Sequence, residues 1–145
     1  MKDTKAMIRY AGDEFFVAVP PSGHALTLDV KGERSDAASP LELLLVALGG
    51  CTGADVIDIL RKKREHVTEY RIEVQAERRE EHPKSFRKIE VRHILYGRGL
   101  SEKSVAHAIQ LSDQKYCSVA ATLRPTAEIV TSYEIHEQTP EQVNA

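Results

Sequence analysis

One segment, residues 39–65, constrains the fold of this 145-residue chain more than any other. Ser39 fits the N-cap of a helix, Pro40 fits the first helical position, and Glu42 completes a capping box. Residues 43–48 are apolar without interruption, so this half of the helix should be buried on every side. We therefore predict a long, buried central helix.

Three glycines interrupt this helix, at Gly49, Gly50 and Gly53. Each lowers the helix propensity by about 1 kcal/mol relative to alanine. The expected compensation is the close approach of another backbone around Cys51, which lies between them.

The rest of the chain predicts an α+β domain with a mainly antiparallel sheet. Three strands precede the helix, and two strands, a helix, a short helix and a last strand follow it. We expect one domain over residues 1–145: N-terminal strands in 1–38, the central helix in 39–65, and strand–strand–helix–strand in 66–137. The elements are residues 6–10, 15–19, 26–30, 70–76, 89–95, 100–115, 118–123 and 129–135.

Composition narrows the class of protein. With 41% hydrophobic and 29% charged residues the chain should be soluble and globular. A net charge of −2 gives no drive toward nucleic acid or an anionic membrane. No signal peptide follows Met1, and the apolar run 43–48 is too short to span a bilayer. These features indicate a cytoplasmic protein.

An all-round apolar helix in so small a chain also predicts the oligomeric state. The hairpin before residue 39 is too small to cover the helix alone. We therefore expect a second subunit to complete its burial, in an obligate homodimer.

The chain has two cysteines, Cys51 and Cys117. They are either the thiols of a redox enzyme or two buried small hydrophobes. Cys51 lies too far along its helix for the helix dipole to act on it, so a reactive thiolate there needs a nearby cation. Cys117 precedes the short helix, whose free N–H groups favour a thiolate. Spacing alone leaves open whether the two sulfurs meet.

Two motifs make the chain similar to a known family. Residues 39–52 read Ser-Pro-Leu-Glu-Leu-Leu-Leu-Val-Ala-Leu-Gly-Gly-Cys-Thr, and residues 116–123 read Tyr-Cys-Ser-Val-Ala-Ala-Thr-Leu. They resemble the two cysteine motifs of the OsmC/Ohr family, the osmotically inducible and organic hydroperoxide resistance proteins. The Gly-Gly-Cys branch of that family is the nearest match, and the order of elements agrees over nearly the whole chain.

The resemblance implies an OsmC-like fold, an intertwined homodimer with antiparallel sheets around a long central helix. It implies that Cys51 is a peroxidatic thiolate that reduces organic and inorganic hydroperoxides in oxidative-stress defence. Cys117 would then form a disulfide with Cys51, and an external dithiol would reduce it. No metal, flavin or haem is implied.

The chain departs from the family pattern at the groups that would activate Cys51. Leu41 occupies the place of the family's glutamate, and Glu42, one residue later, is either a helix cap or a substitute for it. Gly12-Asp13 occupies the turn that carries the family's arginine, so Arg9 and Arg34 are the substitutes to consider. These departures favour a rival hypothesis: a dimer without peroxidase activity that binds a small apolar or electrophilic molecule at its cysteine cleft.

The histidines show no metal-ligand spacing, and His93 and His107 are interpreted as ordinary residues of the fold. The basic run 61–64 is interpreted as a solvated helix end rather than a nucleic-acid site.

Overall fold

The computed structural model describes residues 4–138. They form two compact units, and the division between the units falls inside the long helix, between Leu44 and Leu45. The α+β class and the order of elements predicted from the sequence are confirmed.

The first unit contains a three-stranded antiparallel sheet in the order β1-β2-β3. Its strands are β1 (Met7–Gly12), β2 (Phe15–Val19) and β3 (Leu26–Asp29). The β1–β2 turn places Gly12, Asp13 and Glu14 at positive φ. Glycine and aspartate tolerate this backbone region better than most residues, which explains why the hairpin turns here.

Arg34 holds together the loops around this sheet. Its guanidinium donates to both carboxylate oxygens of Asp29, at 2.8 and 2.9 Å, and to the Asp13 carboxylate at 3.0 Å. It also stacks 4.0 Å from the centroid of the Phe15 ring. The hydrogen bonds from Arg34 hold the pKa of the buried Asp29 carboxyl well below its usual range. Arg34 thus has a structural role within the first unit.

The long helix α1 runs over Pro40–Lys62 and begins with the predicted capping box. The Ser39 amide donates to Oε2 of Glu42 at 2.7 Å, and the Glu42 amide donates to Oγ of Ser39 at 3.2 Å. The helix ends three residues before the predicted end at residue 65. Arg64, just after the helix, has a φ of 59°, which is incompatible with a right-handed α-helix.

The prediction that residues 43–48 are buried on every side is wrong for the single chain. Leu48 is buried, but Val46 is 67% exposed and Leu44 is 38% exposed. Within residues 4–138, solvent reaches Val46, which lies about 200° around the helix from Leu48, and also Leu44, one turn before Leu48. Helix α1 is long and apolar enough to cross a membrane. This is weak evidence for a membrane span, because the core helix of a soluble protein meets the same criteria.

The glycines of α1 do allow a close approach, but by side chains rather than by the backbone that we expected. A Cβ at Gly53 would lie 2.6 Å from Cδ1 of Ile72, and a Cβ at Gly49 would lie 3.3 Å from Cγ2 of Val74. Gly49 and Gly53 are one turn apart and share a helix face. Their missing side chains let the apolar face of the next strand lie directly against α1.

The second unit contains the sheet β4-β5-β6 and the remaining helices. β4 and β5 are antiparallel, whereas β5 and β6 are parallel. The parallel pairing is possible because the chain crosses back through two helices and a π-helical segment before β6. The elements are β4 (His66–Arg78), β5 (Phe86–Arg98), α2 (Glu102–Leu111), the π-helical segment (Ser112–Tyr116), α3 (Ser118–Leu123) and β6 (Glu128–Glu137).

The core of the second unit joins α1, α2 and β5. It is formed by fully or nearly fully buried apolar side chains that recur one helical turn apart on α1 and α2. Burial of each valine, leucine or isoleucine side chain among them stabilises the fold by roughly 1.5–3 kcal/mol. This core fixes the part of α1 that carries Cys51; its residues are Val56, Leu60, Leu95, Val105, Ala108 and Ile109.

Candidate functional site

The fold brings the two cysteine sulfurs together. The Sγ atoms of Cys51 and Cys117 and a carboxylate oxygen of Asp55 all lie within 4.8 Å of one another. Both cysteines are free thiols. Cys51 is partly exposed, whereas Cys117 is buried. Solvent therefore reaches Cys51, and the buried Cys117 is close enough for its sulfur to approach that of Cys51.

The π-helical segment and α3 position Cys117. The Cys117 amide donates to the Ser112 carbonyl at 2.8 Å, and the residue then serves as the N-cap of α3. Its Sγ accepts a hydrogen bond from the Ala120 amide at 3.4 Å. The helix start at Cys117 agrees with the prediction from the sequence. The preceding helix ends earlier than its predicted end at residue 115, because the π-helical segment begins at Ser112.

The expectation that the helix start favours a Cys117 thiolate is not supported. Burial raises the pKa of the Cys117 thiol to about 11, and the neighbouring Cys51 adds to that rise. The hydrogen bond from the Ala120 amide lowers the pKa, but by less than burial raises it. Cys117 therefore remains a protonated thiol at neutral pH.

Asp55 belongs to this site, and the sequence analysis did not identify it. Its carboxylate accepts a hydrogen bond from Oγ of Ser112 at 2.9 Å, and that hydroxyl lies 2.8 Å from Oγ1 of Thr52. Because Ser112 donates its single hydroxyl proton to Asp55, Thr52 is the donor to Ser112. The spacing of four residues between Cys51 and Asp55, which places both on one helix face, could have revealed Asp55.

A buried aromatic pair lies in the same unit. The Tyr70 hydroxyl is 2.6 Å from Nδ1 of His93, and the two rings are stacked. Burial raises the pKa of Tyr70, as does the negative charge of Asp55. Burial lowers the pKa of His93 to about 4, so this histidine is neutral at physiological pH. Nε2 of His93 has no hydrogen-bond partner among residues 4–138.

The other residues proposed from the resemblance belong to the first unit. Arg9 is exposed on β1. Arg34 binds Asp29 and Asp13, and Glu42 caps α1. Within the described part of the second unit, residues 45–138, no arginine or lysine donates a hydrogen bond to either sulfur.

An open apolar groove of about 440 Å³ lies along α1. Its α1 residues directly precede Cys51 in the sequence. Its walls are formed by apolar side chains of α1 and β4, and the two glycines before Cys51 form part of it. The lining residues are Leu45, Val46, Gly49, Gly50, Ile72 and Val74.

A comparison of the sequence with models of known protein families agrees with the cysteine motifs and with the arrangement of elements. The model of the OsmC-like proteins matches residues 32–132, which include both cysteines. The chain belongs to the OsmC-like family. The family resemblance inferred from the two cysteine motifs is thus confirmed, whereas the Gly-Gly-Cys branch stays a prediction.

Three relatives illustrate the match of this OsmC-like chain. Protein YhfA of Escherichia coli K12 is 39% identical over 132 residues, which are 90% of this chain and 97% of that protein. A hypothetical protein from Aquifex aeolicus VF5 has a crystal structure with a TM-score of 0.84 and 33% identity, and the match covers 96% of this chain and 100% of that one. An organic hydroperoxide resistance protein from Elizabethkingia anophelis has a TM-score of 0.70 at 13% identity, with 94% of this chain and 98% of that one covered. This last likeness is one of fold.

Proposed function

We propose that this OsmC-like protein is a thiol-dependent peroxidase that reduces organic and inorganic hydroperoxides in oxidative-stress defence. The observation that carries the proposal is the meeting of the Cys51 and Cys117 sulfurs, which are 66 residues apart in the chain and within 4.8 Å in space. The name of the Elizabethkingia protein, which shares the fold, supports the choice of substrate class.

The reaction would proceed in two steps within the chain. The Cys51 thiolate attacks the O–O bond of the hydroperoxide, which yields a cysteine sulfenic acid and releases an alcohol after protonation. The sulfur of Cys117 then attacks the sulfenic sulfur, expels water and forms the Cys51–Cys117 disulfide. An external dithiol then reduces the disulfide to two thiols by thiol–disulfide exchange and is itself oxidised to a disulfide.

Exposure and protonation support this division of roles. Cys51 is the more exposed sulfur, so a peroxide reaches it first. Cys117 is buried and its pKa is raised, so it stays protonated and does not compete with Cys51 for the peroxide; it gives up its proton only when it attacks the sulfenic acid. The disulfide needs an S–S distance of about 2.05 Å, so the two side chains must move closer after the first oxidation.

The proposal requires a cation that favours the Cys51 thiolate. The charged group that lies near the Cys51 sulfur is instead the carboxylate of Asp55. Arg9 and Arg34 remain the candidates that the resemblance provides. Arg34 would have to share its guanidinium with Asp29 and Asp13.

A thiol titration tests the peroxidase proposal directly. One equivalent of cumene hydroperoxide should remove both thiols per chain of the reduced protein within seconds to minutes, and a dithiol should restore them. The measurement is the free-thiol count before and after exposure, with mass spectrometry to identify the disulfide. Two thiols that persist through prolonged exposure would contradict the proposal.

A second candidate function is supported by the apolar groove and by Asp55. A groove of about 440 Å³ beside α1 suits a small apolar ligand, and the charged group beside the Cys51 sulfur is the Asp55 carboxylate rather than the cation that peroxide chemistry needs. The protein would then bind a small apolar or electrophilic molecule at the cysteines without reducing peroxides. Alkylation of Cys51 by an apolar electrophile, with no reaction toward cumene hydroperoxide, would favour this candidate.

We also propose that the protein is a homodimer in solution. The exposed apolar side chains of α1, Val46 and Leu44, would then be covered by a second subunit. Met7, Ile8 and Tyr10 of β1 are each more than half exposed and add to the uncovered apolar surface. Apolar patches of this kind on a small protein mark interaction sites.

Sedimentation should show a dimer at micromolar concentration, and Val46→Asp should convert most of it to monomer. A charge at this position costs little in the single chain, because Val46 is already largely exposed, but it is costly once covered. Val130→Asp is the matched control, since Val130 is an exposed valine on β6. A wild-type protein that sediments as a monomer would contradict the dimer.

The proposed setting is the cytoplasm, where cellular dithiols could reduce the disulfide after each turnover. We propose no nucleic-acid or membrane partner, since the formal net charge is only −2.

A further inference from the structure

The proposed peroxide chemistry gives the Asp55 carboxylate no role, yet this group lies against both sulfurs. We propose that the reduced protein binds one Zn²⁺ ion per chain through Sγ of Cys51, Sγ of Cys117 and a carboxylate oxygen of Asp55. The bound ion shields both thiols from oxidation. Zinc binding does not depend on peroxidase activity, so either proposal can fail without the other.

The distances fit a three-ligand zinc site. Three atoms that lie no more than 4.8 Å apart have a common point within about 2.8 Å of each of them. Zn²⁺ binds sulfur at about 2.3 Å and carboxylate oxygen at about 2.0–2.2 Å. Each ligand atom therefore needs to move by less than about 1 Å, which side-chain torsions supply.

The scaffold holds each of the three ligands in place. Cys51 and Asp55 are four residues apart on α1, the spacing that points two side chains in the same direction. Cys117 is fixed as the N-cap of α3 by its bond from the Ala120 amide. Ser112 donates to Asp55 and is itself bonded to Thr52. Carboxylate ligands in metal sites usually have such a hydrogen-bonded support.

The ligand chemistry selects the metal. Two thiolates favour a borderline-soft cation such as Zn²⁺ over Mg²⁺ or Ca²⁺, which prefer all-oxygen sites. Among residues 4–138, no arginine or lysine forms an ion pair with Asp55, so its carboxylate is available to a cation. The partial exposure of Cys51 leaves an entry path and room for water as the fourth ligand.

Zinc binding also changes the protonation of the two sulfurs. Each ligand that starts as a thiol releases its proton to the buffer when it binds the ion, so affinity falls as the pH is lowered. A sulfur bound to zinc has its lone pair engaged and reacts more slowly with peroxides and alkylating agents. The charge of the dication balances the negative charges of the two thiolates.

The experiment uses the full-length, untagged, reduced and metal-free protein. Competition with a chromogenic chelator should show one Zn²⁺ per chain. Co²⁺ as a probe should give the charge-transfer absorption of cobalt bound to thiolate sulfur. Saturating Zn²⁺ should slow the alkylation of both thiols at least tenfold, and a chelator should restore the rate.

Variants separate this site from adventitious binding. Asp55→Asn keeps both thiols but removes the carboxylate ligand. The affinity for Zn²⁺ should fall more than about tenfold, because losing even a hydrogen-bond partner of a metal ligand costs about tenfold or more. Asp58→Asn is the matched control on the same helix, since Asp58 is partly exposed and pairs with Lys62 at 2.9 Å. It should leave zinc affinity unchanged.

Three results would overturn the proposal. They are the absence of bound Zn²⁺ at micromolar concentrations, equal affinities of the Asp55→Asn and wild-type proteins, and undiminished binding by the Cys51→Ser, Cys117→Ser double variant. The last result would place the ion at a site that does not contain the two cysteines.

Discussion

Replacing Cys51 by serine should slow the reaction with cumene hydroperoxide by at least about 100-fold, because the hydroxyl that replaces the thiol cannot attack the O–O bond. Removing a covalent nucleophile removes the whole pathway rather than one contribution to it. Cys117 should then retain its thiol, since burial raises its pKa to about 11 and keeps it protonated at neutral pH. The measurement is the rate of peroxide loss together with the free-thiol count.

The Cys117→Ser variant is the matched partner of this experiment. Its Cys51 should be oxidised once, at a rate close to that of the wild type, and should stop as a sulfenic acid that a dimedone-type reagent traps. No intramolecular disulfide should form. A wild-type rate in Cys51→Ser would contradict the assigned roles, and so would a complete loss of the first oxidation in Cys117→Ser with Cys51 still exposed to solvent.

The sequence predicts those parts of the fold that depend on local chemistry. The capping box formed by Ser39 and Glu42 sets the start of α1 within one residue, because its two hydrogen bonds involve only neighbours. Apolar patterning, together with the short turn of the first hairpin, predicts all six strands, although β4 (His66–Arg78) and β5 (Phe86–Arg98) are longer than predicted. Both cysteines were identified from their motifs, and their proximity was left open because spacing along the chain carries no information about it.

The features that were missed depend on tertiary structure. In the sequence, Asp55 is one of several polar residues of an amphipathic helix. Its role becomes visible only in the fold, which brings Cys117 and Ser112 next to it. The parallel β5–β6 pairing depends on the crossover path rather than on the strands themselves. The exposure of Val46 conflicts with its apolar surroundings in the sequence, which is the reason for proposing a second subunit.

The other large effect concerns the buried histidine. The native protein should lose on the order of 3 kcal/mol of stability between pH 7 and pH 4 through His93 alone. Its pKa is about 6.5 in the unfolded chain and, because of burial, about 4 in the native state. Between these values the unfolded state binds a proton that the native state does not, so stability falls as the pH is lowered. Nε2 of His93 has no partner within residues 4–138 that would stabilise the charged ring.

Urea unfolding from pH 7.5 to 4.0, at fixed protein concentration, measures this dependence. His93→Gln should be less stable at pH 7, since it disturbs the bond to Tyr70, but it should lose less stability on acidification than the wild type. His24→Gln is the control, because His24 is an exposed loop residue, and its pH profile should follow that of the wild type. Parallel profiles for the wild type and His93→Gln would mean that His93 gains a proton in the native state as readily as in the unfolded chain. The surroundings of His93 would then be open to water, in contrast to the full burial of its side chain in this structure.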